Sequence, residues 1–356
     1  MPGVSSPSRN SRAFSFLSWG AAKCSSAEVT NERSDFALEG VREAKALRNP
    51  ACAKPAKLAM SQVLNTLRRA GQIAREARDL GAALIVPGAS LRSVCETVEA
   101  EIEKRGGKPA FPAQTSVNDI AAHDCPSPDD DRTYNAGDLA KLDIGVHIDG
   151  WVVDTATTVN VGGTGNGRMI EAAKQALSAA VQTAKPGLPV KDVSAAIERA
   201  ITSAGFTPLE NLCGHGVGQY VVHTPPAITN TVRAAEGRLP MRGVIAIEPF
   251  ATDGHGRSGP RGTSEVFRLL PAAKDRLEEF GVEGDFALAL LSWRGLPIAR
   301  RYFRQFGNEF VSNVFHRLER ARLLHSYPPL VALSGCAVAQ AEHSVYLGPE
   351  GVIQLT

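Results

Sequence analysis

Apolar residues recur at helical spacing from Met60 onward, where the pattern of the chain changes. Positions 63, 64, 67, 70, 73, 74 and 77 are apolar, and arginines occupy the opposite face. After a turn at Pro87-Gly88, Ser90 can cap a second helix, which Gly106-Gly107 ends. Two amphipathic helices are therefore predicted at the start of this part of the chain.

The rest of the pattern alternates strands with helices. The predicted segments, in order, are β-rich 139–146 and 151–159, helical 169–183 and 190–204, β-like 218–223 and 244–250, mainly helical 269–324, and a final strand pair at 337–347 and 352–356. Helix pairs between antiparallel-looking strands predict an α+β catalytic domain over residues 60–356.

A two-residue turn at Asp149-Gly150 joins the two β-rich segments. That turn places Asp143 opposite Ala156 and Asp154 opposite Gly145, so both carboxylates emerge on one face. Carboxylates that emerge together from buried strands repel each other, and a metal ion between them would relieve the repulsion. A pair of solvent-facing aspartates is the alternative that this segment alone leaves open.

Three further positions add donors of the same chemistry. His215 has glycine on both sides, as expected where backbone must approach a ligand closely, and Glu248 ends an apolar strand. Glu342 lies similarly near the C-terminus. Two aspartates, one histidine and two glutamates form a carboxylate-rich set that suits a dinuclear site of Mn, Fe, Co or Zn.

Composition and charge exclude some classes of function. The net charge of +2 argues against nucleic-acid binding by bulk charge, so no DNA partner is expected, and no apolar run approaches the length of a membrane span. The first 27 residues hold eight serines and no acid, and residues 49–57 resemble a linker. Residues 1–59 are therefore interpreted as a disordered or targeting extension plus linker.

These motifs together resemble the methionine aminopeptidases, specifically the type II, archaeal-like branch of the pita-bread metallopeptidases. The match covers residues 60–356, and 256–324 correspond to the helical insertion of that branch. Asp143, Asp154, His215, Glu248 and Glu342 match the metal ligands. His123, His223, Phe111 and Tyr327 match substrate-binding residues. One departure is Ala341, where this branch usually has phenylalanine.

The resemblance implies a reaction and a role for each residue. Two divalent ions (Co, Mn, Fe or Zn), bridged by Asp154 and Glu342, would acidify a water that attacks the first peptide bond. His123 would contact the scissile amide, His223 would stabilise the tetrahedral intermediate, and Glu248 would pass a proton to the leaving amine. The implied substrate is the initiator methionine of a nascent polypeptide whose second residue is small.

Two other functions of the same fold remain as alternatives, an X-Pro aminopeptidase or prolidase and a non-catalytic ribosome- or RNA-associated protein. The insertion carries seven arginines between Arg294 and Arg322 against two acids, which suggests ribosome contact, or else a solvated helical face. A cytoplasmic monomer is expected, with organelle import by residues 1–59 as the other possibility.

Overall fold

The computed structural model of the protein describes residues 50–163 and 165–356, and the side chains from residue 61 onward. Helix α1 begins at Pro50, so residues 50–57 of the linker predicted over 49–57 are helical here. The part of the predicted extension before Pro50 lies outside the described residues. The apolar face of α1 is buried, with Leu67, Ile73 and Ala77 at most 2% exposed.

Six α-helices of the described residues bracket the strands. They are α1 (Pro50–Leu84), α2 (Leu91–Lys104), α3 (Gly167–Thr183), α4 (Val190–Ser203), α5 (Gly284–Leu291) and α6 (Asn308–Arg320). As predicted, Ser90 caps α2 by accepting a hydrogen bond from the backbone N–H of Ser93. None of these helices is long and apolar enough to cross a membrane.

The first sheet carries the predicted hairpin. Its strands are β1 (Lys108–Val117), β3 (Leu139–Ile148) and β4 (Trp151–Asn160), in the order β1-β3-β4. Asp143 lies opposite Ala156 and Gly145 opposite Asp154, which confirms the predicted register. Both turn residues have positive φ, +52° at Asp149 and +86° at Gly150, a conformation that aspartate tolerates and glycine favours.

A five-stranded sheet contributes the other half of the core. Its strands, in spatial order, are β17 (Gly351–Gln354), β16 (His343–Gly348), β8 (Gly243–Ile247), β6 (Cys213–Gly218) and β7 (Val221–Thr229). Helices α3 and α4 pack on it through small and branched apolar residues such as Ala173 and Ile197. Three further small sheets are built from strands β2 (Ile120–Ala122), β5 (Thr207–Pro208), β9 (Phe250–Thr252), β10 (Ser258–Pro260), β11 (Val266–Leu269), β12 (Ile298–Ala299), β13 (Leu324–Tyr327), β14 (Leu330–Ala332) and β15 (Val338–Gln340).

The segment 256–324 is less helical than its sequence predicts. Strands β10, β11 and β12 lie within it, and β11 pairs with β13, whose first residue is Leu324. Helices α5 and α6 and three short 3₁₀ helices lie between and after these strands. Its apolar residues form a separate cluster, which includes Phe267, Phe303 and Phe315. The predicted helical insertion is therefore a mixed subdomain with its own apolar cluster.

Candidate metal centre

The two aspartates of the hairpin point into one buried cavity. Asp143 and Asp154 line the same cavity, and Asp154 is only 3% exposed. The backbone N–H of Asp154 donates to Ser344 Oγ at 2.7 Å, and Ser344 Oγ donates in turn to the Asp154 carbonyl at 3.0 Å. Strand β16 therefore fixes the backbone that carries Asp154.

His215 reaches the same cavity from β6. A Cβ on Gly214 would lie 2.2 Å from the Ala246 carbonyl oxygen, and one on Gly216 would lie 2.4 Å from Thr224 Oγ1. Glycine is therefore required on both sides of His215 for β6 to pack between β7 and β8. His215 Nε2 lies 3.7 Å from Asp154 Oδ2.

The two glutamates complete the group. Glu248 follows β8, and its Oε1 lies 3.6 Å from His215 Nε2. Glu342 lies between β15 and β16, where its N–H donates to the Ala156 carbonyl and its own carbonyl accepts from Thr155 Oγ1. Ligand atoms of Asp154, His215 and Glu342 all lie within 4.8 Å of one another, a spacing that could hold a metal ion.

Burial and mutual repulsion disfavour the charged forms of these carboxyl groups. Desolvation raises the pKa of Asp143 to about 7 and holds the pKa values of Asp154, Glu248 and Glu342 well above their ordinary range. Repulsion from neighbouring carboxylates raises the pKa values of Asp154, Glu248 and Glu342 further. Burial lowers the pKa of His215 to about 4, so its ring is neutral and can act as a ligand.

The oxygen atoms of the cavity fit a cation. Among the described residues, Asp143 Oδ1, Asp154 Oδ1 and Glu342 Oε2 are buried without a hydrogen-bond partner. Unsatisfied buried acceptors are costly, and several carboxylate oxygens beside a neutral imidazole are the ligands that divalent metals use. The residues present therefore suit divalent metal binding.

These pKa shifts predict how the metal-free protein responds to pH. The pKa of Asp143 rises on folding from 3.8 to about 7, so its stabilising contribution is complete below about pH 4 and is lost as pH rises toward 7. Asp143→Asn removes this titration. In chelator, the melting temperature of Asp143→Asn minus that of the native protein should increase by several degrees from pH 4.5 to pH 7.5. A difference that stays constant with pH would contradict this account of the repulsion.

The predicted substrate-binding residues lie around the carboxylates. The His215 and His223 rings have centroids 4.3 Å apart, and the Tyr327 centroid is 5.8 Å from that of His123 and 6.2 Å from that of His223. Phe111 packs over Gly145, where a Cβ would lie 2.3 Å from the Phe111 ring. All nine predicted site residues line one cavity with about 480 Å³ of empty space, part of it open to solvent: Phe111, His123, Asp143, Asp154, His215, His223, Glu248, Tyr327 and Glu342.

Sequence reasoning missed two glutamines at this site. Gln114 lines the cavity opposite Asp143, and Gln340 Nε2 donates to Glu248 Oε2 at 3.4 Å. In the strand predicted over 337–347, Gln340 precedes Glu342 by two residues and would share its face, so side-chain alternation could have found Gln340. Gln114 carried no such signal, because its direction depends on an irregularity in β1.

Sequence comparison assigns most of the chain to a known metallopeptidase family. Residues 65–268 match the model of metallopeptidase family M24. A methionine aminopeptidase of Archaeoglobus fulgidus is 39% identical over 295 residues, which cover 82% of this chain and 97% of that protein.

Solved structures support the same fold. The methionine aminopeptidase of Thermotoga maritima matches with a TM-score of 0.59 at 22% identity, covering 83% of this chain and 96% of that one. A prolidase of Pyrococcus furiosus matches with a TM-score of 0.54 at 20% identity, and the match covers 83% of this chain but 64% of the prolidase. The fold is therefore common to enzymes that act on different peptides.

Proposed function

The chain belongs to the methionine aminopeptidases of metallopeptidase family M24, and we propose that it removes the initiator methionine from new polypeptides whose second residue is small. The observation that carries this proposal is that the five predicted metal ligands and the four predicted substrate-binding residues line one cavity. An enzyme that cleaves only at a free N-terminus must bind an amine, and a carboxylate-rich metal centre can do so directly.

We propose that the cavity holds two divalent ions, of Co, Mn, Fe or Zn. Asp154 and Glu342 would bridge them, Asp143 would serve one ion, and His215 with Glu248 would serve the other. When bound, such ions make water acidic enough to act as a nucleophile near neutral pH and polarise the carbonyl under attack. Ligand atoms of Asp154, His215 and Glu342 within 4.8 Å of one another support metal binding at this point of the cavity.

The protein's own side chains would orient the peptide and move its proton. His123 would hold the scissile amide, and His223 would donate a hydrogen bond to the oxygen that becomes negative. Glu248 has a raised pKa and could carry a proton to the leaving amine. Phe111 and Tyr327 would form the apolar slot for the methionine thioether, since both line the cavity beside the two histidines.

Peptide hydrolysis distinguishes this function from that of X-Pro enzymes of the same fold. The purified, metal-loaded protein is expected to release methionine from Met-Ala-Ser at least about a hundred times faster than it cleaves an Ala-Pro peptide, because the slot accommodates a long thioether. Metal analysis of the same sample should find bound divalent ions. Preferential cleavage of the Ala-Pro peptide would favour a prolidase-like function, and turnover of neither peptide would favour a non-catalytic protein.

Only part of the positive charge of the arginine-rich segment is available for contact with a ribosome. Arg300 pairs with Glu265, Arg301 with Glu99 and Arg304 with Glu96, so much of the local positive charge is neutralised. We propose that the contact is made by the end of α6, where Arg320 and Arg322 are exposed. Acidic partners for these two arginines are absent among the described residues.

Co-sedimentation tests this surface. Replacing Arg320 and Arg322 by glutamate should weaken ribosome binding at least about fivefold at low salt, because each reversal replaces attraction to phosphate by repulsion. The matched control replaces Lys185 and Arg233, exposed residues outside the insertion, by glutamate. If both double variants bind equally well, the end of α6 is not the contact surface.

We also propose that the enzyme works as a monomer in the cytoplasm, where new polypeptides emerge. A single chain supplies all nine residues of the cavity, so the site does not need a second copy. A reporter protein fused to residues 1–59 would reveal import into an organelle, which would contradict a cytoplasmic location.

A further inference from the structure

Strand β1 departs from regular pairing at Pro112 and Ala113. Phe111 lies opposite Gly145 and Gln114 lies opposite Asp143, so three steps along β1 correspond to two steps along β3. This irregularity is a β-bulge. Residues three apart in a regular strand point to opposite faces, but here both Phe111 and Gln114 line the cavity. The bulge therefore decides which β1 side chains face the cavity.

A buried ion pair from outside the sheet holds the bulge. The N–H of Ala113 donates to Glu99 Oε1 at 2.8 Å, and its carbonyl accepts from Arg301 Nη2 at 3.3 Å. Glu99 belongs to α2, whereas Arg301 belongs to the 3₁₀ helix Arg300–Phe306 of the insertion. Arg301 binds both oxygens of Glu99, at 2.5 and 2.6 Å.

The surroundings of this pair keep it rigid. The Tyr302 hydroxyl donates to Glu99 Oε1 at 2.6 Å, and Cys125 Sγ lies 3.8 Å from Arg301 Nη2. The Arg301 side chain is 1% exposed and that of Glu99 is 10% exposed. Helix α2 and the 3₁₀ helix Arg300–Phe306 therefore meet at the second of the two irregularities of β1, at Pro112 and Ala113.

Stability alone gives little reason for an ion pair in this place. Desolvation offsets most of the attraction between buried charges, and apolar residues of similar volume are often as stabilising. An apolar pair, however, could not bond the N–H and carbonyl of a backbone whose strand pairing is interrupted. What the ion pair adds is a fixed position for Ala113.

We propose that Arg301 and Glu99 are positioning residues for the methionine slot, through which the insertion holds the β1 bulge and keeps Phe111 and Gln114 facing the substrate. This inference rests on the proposed function. The insertion would then affect recognition of the first residue of the substrate through the hydrogen bonds of Glu99 and Arg301 to Ala113. Neither residue lines the cavity itself.

The deciding variant replaces the whole pair, Glu99→Leu with Arg301→Met, so that no unpaired charge is left buried. Its KM for Met-Ala-Ser should rise about tenfold and its inhibition by free L-methionine should weaken by a similar factor, while kcat changes less than about threefold. Bound metal should be unchanged, because the pair touches none of the ligands. Arg301→Lys keeps the charge but cannot bind both oxygens in the same way, and should give an intermediate KM.

The matched control is Arg304→Met, which breaks the exposed pair with Glu96 between the same two elements. Its KM should equal that of the native enzyme. A folded double variant with native KM would overturn the inference, as would a loss of metal and kcat without a change in KM. If the double variant does not fold, Arg301→Lys takes its place in the test, and a native KM for Arg301→Lys would overturn the inference. Failure of the native enzyme to cleave Met-Ala-Ser would instead refute the proposed function.

Discussion

Asp154→Asn should release at least one metal ion and lower turnover of Met-Ala-Ser at least about a hundredfold, because the metal-activated nucleophile is the largest catalytic element available. A bridging carboxylate balances the charge of two ions at once, and a neutral amide of the same volume cannot. Metal content by mass spectrometry and peptide turnover on the same sample are the measurements.

The same substitution should not destabilise the metal-free protein. Repulsion from Asp143 and Glu248 contributes to the raised pKa of Asp154, so the substitution relieves strain in the metal-free protein. Metal-free Asp154→Asn should therefore melt no lower than the metal-free native protein, whereas added metal should stabilise the native protein far more.

Asp149→Asn is the matched control for that substitution. Asp149 lies in the hairpin turn with φ +52°, a conformation that asparagine tolerates well, and it lies outside the metal cavity. Activity and metal content should be native. If Asp149→Asn abolished activity while Asp154→Asn left it intact, the assignment of the bridging carboxylate would be wrong.

His223→Ala should lower kcat about a hundredfold while leaving metal content unchanged, since loss of one donor to a developing negative oxygen has an effect of this size. Burial and the nearby His215 hold the pKa of His223 well below its usual value, so the ring is neutral at pH 7 and still carries one N–H to donate. KM should change little, because this hydrogen bond forms mainly in the transition state.

His215→Ala serves as the comparison, because the two rings are only 4.3 Å apart yet are assigned different roles. Loss of His215 should reduce both bound metal and activity. If His223→Ala also lost metal, His223 would be a ligand and the proposed division between the two histidines would fail.

The hairpin is the part of the site that the sequence determined by itself. Asp149-Gly150 fixes a two-residue turn, and strand pairing then dictates that Asp143 and Asp154 share a face. This prediction needed no long-range information, because turn geometry and side-chain alternation are local properties. The close packing around His215 could also be predicted from the sequence, because a glycine on each side of a histidine indicates close backbone contacts.

Contacts between residues far apart in the sequence determined the rest of the site. Only the fold brings Glu342 to the side of Asp154, through hydrogen bonds that join Thr155 to a residue 187 positions away. The arginines of the insertion looked like one basic face in the sequence, but the fold pairs Arg300, Arg301 and Arg304 with acids from other segments. The bulge that turns Gln114 into the cavity likewise depends on Glu99 and Arg301, 202 residues apart. Local patterns set each strand's faces, whereas the partners of buried charges are chosen only when distant segments pack together.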